Sequence, residues 1–107
     1  MLCAGSSLAV RRVTAGTQQR LAQVRATALQ GDYALAAEDI DTLVRYFTAR
    51  QPLLECFLRR DSVAAAAVNL AGLRAYAGEA NLQDLLTELD KAAMQVEQLR
   101  HVYTGLL

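Results

Sequence analysis

Residues 64–93 read AAAAVNLAGLRAYAGEANLQDLLTELDKAA. The first half is a helix of small apolar residues. Alanine loses no side-chain entropy on entering a helix and is the best helix former. Val63, Ala66, Leu70, Leu73 and Ala77 recur at three- and four-residue spacing and predict one buried stripe. The opposite side, Ala65, Val68, Ala71, Gly72 and Ala75, is apolar too, with only Asn69 and Arg74 polar in the interior. A helix apolar all round is either central in a bundle or covered by a partner on one face. Gly78 predicts the stop, as a C′ glycine in the left-handed conformation. Asn81 or Glu79 is then placed to cap a second, strongly amphipathic helix.

Outward from that hairpin the rest reads as helical material to pack against it. Leu82, Leu85, Leu89, Ala92, Val96, Leu99, Tyr103 and Leu106 keep an unbroken three-four alternation, which predicts a long bundle helix. If this stripe does not close within the chain, its C-terminal turns form a homodimer seam over Leu82–Leu106. On the N-terminal side, Tyr33, Ala36, Ile40, Leu43 and Phe47 mark a helix from about residue 33 to 49, with Asp32 as its cap. Pro52 is expected to break it and to open a short helix to about Arg60, because proline lacks the N–H and clashes with the preceding turn. Asp61-Ser62 is the expected cap of the next helix. Leu21, Val24 and Ala28 predict an earlier helix capped by Thr17. Residues 1–16, with Gly5, Ser6, Ser7, Thr14 and Gly16, have weak periodicity and read as a loose arm.

The expected architecture is therefore all-α: an antiparallel four- to five-helix bundle, one domain over 17–107 behind an arm at 1–16. A length of 107 residues allows a single core. Twenty alanines and one proline agree with it, and no stretch alternates as a strand would. Basic and acidic residues balance at 11 each, which argues against nucleic-acid binding through a broad basic field. No apolar run reaches the roughly 18 residues of a membrane span. MLCAGSSLAVRR carries its charges after its apolar part, the reverse of a secretory signal. A cytoplasmic location is the expectation.

No constellation in the sequence points to catalysis. His101 has no carboxylate to orient it and reads as a solvated side chain. Glu38, Asp39 and Asp41 are spread around their helix and read as solvating charges. Cys3 and Cys56 have no metal spacing; Cys56, beside Leu54, Phe57 and Leu58, reads as a small core residue. No metal, cofactor or catalytic residue is assigned.

Val68-Asn69-Leu70-Ala71-Gly72, followed by Gly78, Leu82, Leu85, Leu89-Asp90 and Ala92, resembles a histidine-containing phosphotransfer (HPt) domain. The resemblance covers about residues 53–93. It implies a four-helix bundle whose phosphoacceptor histidine meets a response-regulator receiver domain, with a glycine one turn on leaving room for the approach. Here the acceptor position is Val68, which has no nucleophile, and the frequent lysine position is Ala71. What the resemblance implies is a degenerate domain that keeps a docking surface without phosphotransfer. Its expected partner face is Ala65, Val68, Ala71, Gly72, Arg74 and Ala75. Two other readings fit the composition: a small helical chaperone of a flagellar or type III secretion substrate, and a helical oligomerisation module.

Overall fold

Four helices form, α1 at Leu2–Leu29, α2 at Tyr33–Glu55, α3 at Arg60–Gly72 and α4 at Leu82–Gly105. The computed structural model describes the backbone of residues 2–105, and their side chains outside residues 2–7, 79 and 100–105. The described residues contain no strand. They make an antiparallel bundle extended along one axis, 48 × 17 × 17 Å.

The first departure from expectation is at the N-terminus. Residues 2–16 are not a loose arm but the first half of α1, which spans 28 residues. Val10 and Val13 are buried with Leu21, Val24 and Ala28. The stripe is hidden in the sequence because its middle positions are Thr14 and Thr17, both buried. Each hydroxyl donates to a carbonyl one turn back, Thr14 to Val10 O at 3.0 Å and Thr17 to Val13 O at 2.8 Å. A threonine whose hydroxyl is satisfied this way presents its methyl group to the core. Thr17 is thus an interior residue and not a cap.

Gly31 ends the α1–α2 turn in the left-handed region, φ +84°, where glycine carries no Cβ penalty. Asp32 then caps α2, accepting from Leu35 N at 3.1 Å. The expected break at Pro52 does not occur. α2 runs on to Glu55, so the short helix from Pro52 to Arg60 is absent and the described residues form four α-helices. Pro52 sits in the last turn, where one backbone bond is lost, and the residue whose carbonyl is left over, Thr48, is exposed to water. Leu54, fully buried two residues later, anchors that turn. Pro52→Ala restores the missing bond. It is expected to raise stability by about 1 kcal/mol, a fraction of the ~3 kcal/mol an interior proline costs. Urea unfolding followed by circular dichroism checks this; an unchanged midpoint would mean the turn is already frayed.

α3 starts one residue before the expected cap. Arg59 holds the N-cap position with extended backbone, and Asp61 lies in the first turn. Val63, Ala66 and Leu70 face the core. Past Gly72 the chain tightens into a 3₁₀ turn over Leu73–Tyr76, with Leu73 still buried. Gly78 is extended (φ −155°, ψ 159°), not left-handed, so it acts as a bend and not as a C′ stop. A second 3₁₀ turn, Glu79–Asn81, leads into α4. There Leu85, Leu89, Ala92, Val96 and Leu99 are all buried within the chain. The dimer seam expected over Leu82–Leu106 is therefore closed from Leu85 to Leu99 by the chain's own helices. The side chains of Tyr103 and Leu106 lie outside the described residues.

The helices pack as a ring: α1 against α2 and α4, and α3 against α2 and α4. Polar links fix the antiparallel register. Gln18 donates to Ala93 O at 2.8 Å, and Arg25 pairs with Asp90 at 2.8 Å. Thr27 donates to Asp39 Oδ2 at 2.7 Å, joining α1 to α2. Arg74 meets Asp41 at 3.1 Å, joining the 3₁₀ turn after α3 to α2. Asp39 and Asp41 are thus interhelical partners, not only solvating charges.

Candidate functional site

α3 is short, 13 residues against 23 and 24 for the helices flanking it, and shows two apolar sides. One is buried in the core. The other faces water: Ala65, Val68, Ala71 and Gly72 are exposed, as is Ala75 in the 3₁₀ turn that follows. Val68 is the most exposed large hydrophobic residue described, at 69%. Ala65, Val68 and Gly72 follow at i, i+3 and i+7, so they stand in one row. Arg74 is exposed at the edge, held by Asp41. Asn69 bounds the other edge, its side-chain amide donating to Gln95 Oε1 at 2.6 Å. The six residues of the partner face that the resemblance implies are thus all exposed, four of them on α3 and Arg74 and Ala75 on the 3₁₀ turn that follows it.

Gly72 has a helical backbone, and a Cβ built there meets nothing within 4 Å. It does not exist to let another helix of this chain come close. Val68 likewise lies beneath no other helix. Beside Ala65 the seam between α3 and α4 opens into a cleft of about 620 Å³, lined among others by Phe57, Leu58, Ser62, Gln95 and Leu99. No motif in the sequence marks this cleft. Its one trace is Phe57-Leu58, half-buried in the turn where a helix was expected.

Val68 offers no nucleophile. Among the described residues no group of three His, Cys, Asp or Glu side chains could hold a metal ion. Cys56 is exposed, not a core residue, and its thiol donates to Pro52 O at 3.3 Å. The side chains of Cys3 and His101 lie outside the described residues.

A second feature is invisible in the sequence. Tyr46 of α2 lies against Gly16 of α1, and two guanidinium groups stack on its ring, Arg20 at 3.8 Å and Arg50 at 3.9 Å from the centroid. The surrounding charge is uneven despite the overall balance. The half of the bundle holding the start of α1 and the end of α2 carries Arg11, Arg12, Arg20, Arg45, Arg50, Arg59 and Arg60 against Glu55, Asp61 and Glu97. The other half carries Arg25, Arg74 and Lys91 against seven described carboxylates, four of them on or capping α2.

The described residues thus define a helical bundle with one unpartnered apolar helix face. Comparison with known protein families, with curated proteins and with solved structures found no match. No described helix is long and apolar enough to cross a membrane.

Proposed function

We propose that this chain is a non-catalytic protein-binding module, an HPt-like adaptor of bacterial two-component signalling that works in the cytoplasm. The observation that carries the reading is the outer face of α3. Val68 stands exposed where the resembling family has its acceptor histidine, and Gly72 opens the surface one turn on. A face of small apolar side chains costs little to desolvate and lets a partner's backbone approach closely. A receiver domain docking on Ala65, Val68, Ala71, Gly72 and Ala75, with Arg74 at the edge, would be held without exchange of phosphate.

Gly72→Leu tests this directly. The substitution fills open space on an exposed helix, so folding is unaffected or gains up to about 1 kcal/mol from helix propensity. Binding to receiver domains in a two-protein titration should fall on the order of tenfold or more, since a bulky side chain at the centre of a packed interface is poorly accommodated. Receiver binding that survives Gly72→Leu would remove the support for this face. A second reading is favoured by the cleft beside Ala65, which could hold an apolar segment of a secretion substrate. In that case Leu58→Asp, inside the cleft, weakens capture and Gly72→Leu does not.

A further inference from the structure

We propose that the outer side of α2 is a self-association surface, on which a second copy of this chain docks antiparallel and pairs Glu38 of each copy with Arg45 of the other. Leu35, Glu38, Thr42, Arg45, Ala49 and Pro52 are all exposed. They follow at intervals of three, four, three, four and three residues, so they stand in one row along α2. That order of intervals is the same read from either end. A two-fold axis crossing the row between Thr42 and Arg45 therefore lays it on its own copy in register. Thr42 then faces Arg45, Glu38 faces Ala49, and Leu35, which is 41% exposed, faces Pro52. In each pair a smaller side chain leaves room for a longer one.

Charge selects the occupant. Among the acidic residues on or capping α2, Asp32 accepts from Leu35 N, Asp39 accepts from Thr27, Asp41 pairs with Arg74, and Glu55 accepts from Gln51 and pairs with Arg60. Glu38 alone has no partner among the described residues. Arg45 is its counterpart among the arginines of α2. Its one polar contact among the described residues is Thr42 Oγ1 on its own helix, at 3.5 Å. Asp41, the carboxylate one turn back, is held by Arg74. In the paired arrangement Glu38 sits opposite Ala49 of the second copy, with Arg45 of that copy one turn along. The exchange occurs twice, once on each side of the axis. A partner of one sign, such as a polyanion or a basic segment, would meet a like charge in one half of the row. A second copy meets the opposite sign in both halves. No residue of the α3 face belongs to the row, so the inference stands independently of the receiver-domain reading.

An α2 of 23 residues offers a row of about 35 Å, which places the pairing at the small, weak end of specific interfaces. Unfolding at low micromolar concentration therefore reads the single bundle. The test is sedimentation velocity of the full chain from micromolar to millimolar concentration, at low and at high sodium chloride. The expected result is a monomer that becomes a dimer as concentration rises, and does so less at high salt. Glu38→Arg and Arg45→Glu should each weaken self-association on the order of tenfold or more, because like charges then meet on both sides of the axis. Both positions are exposed, so each variant should melt as the wild type does at low concentration. Mixing the two variants should restore the dimer, since each supplies the charge the other lacks; a change that merely damaged the fold would not be rescued this way. A chain that stays monomeric across the range, a dimer that Glu38→Arg leaves intact, or a mixture of variants that fails to associate would each overturn the surface.

Discussion

Phe47→Ala is expected to lower the unfolding free energy by about 3–5 kcal/mol, the largest effect of any single truncation in this chain. Phe47 has the largest side chain among the fully buried residues described, and it sits midway along α2, the helix that packs against both α1 and α3. Truncation removes its transfer free energy and leaves a cavity that the surrounding core fills only in part. Alanine is the better helix former, so the net loss is a lower bound on the packing contribution. A domain of this size is stable by about 5–15 kcal/mol in all, so the variant loses a third or more of its margin. Thermal unfolding should move down by roughly 15–30 °C. Leu53→Ala, six residues on and 40% exposed, is the control and should cost less than about 1 kcal/mol. Similar midpoints for the two variants would mean that the bundle does not close around α2 as described.

How much of the fold is legible in the sequence depends on where each apolar stripe is interrupted. α4 is legible because its stripe from Leu85 to Leu99 is made only of Leu, Ala and Val. The stripe from Ala36 to Phe47 is legible because it too is apolar throughout, and the Asp32 cap because its hydrogen bond is local, to Leu35 N. α1 is half-hidden because Thr14 and Thr17 occupy core positions, and a hydroxyl looks polar in sequence however well its carbonyl partner satisfies it. Pro52 misleads in the opposite sense. Its local penalty is visible, while the burial of Leu54 that outweighs it depends on helices distant in sequence and cannot be seen locally.

The candidate surfaces divide in the same way. The apolar side of Ala65, Val68, Ala71, Gly72 and Ala75 follows from helical periodicity within one segment, so spacing alone groups these five residues; Arg74 joins them only at the edge. What periodicity cannot decide is which of the two apolar sides faces water, because that needs the positions of α2 and α4. The Arg20–Tyr46–Arg50 stack joins side chains 26 and 4 residues apart on two helices, and no local pattern marks it. The absence of any carboxylate before Asp32 is its only sequence trace.

Gly16 and Gly72 offer a matched comparison in which one substitution has opposite consequences. Both lie in helices, and Leu improves helix propensity at each. At Gly72 the space is open and that gain is realised. At Gly16 even a single Cβ would sit 2.7 Å from Tyr46 Cζ and closer still to the hydroxyl. A tyrosine tip could ordinarily swing aside. Here the ring is gripped by Arg20 and Arg50, and each guanidinium is in turn tied to a backbone carbonyl, so moving the ring breaks both stacks. Gly16→Leu is therefore expected to destabilise by about 1–3 kcal/mol net, as overpacking does. In a Tyr46→Ala background the obstruction is gone and the leucine has room to lie in the vacated groove. There the same substitution should be neutral or stabilising by up to about 1 kcal/mol, and the coupling in this double-mutant cycle measures the obstruction between residue 16 and the ring together with whatever the leucine gains in its place. Equal costs of Gly16→Leu in both backgrounds, by urea unfolding, would show that the penalty arises elsewhere and that the ring is not held between the two arginines.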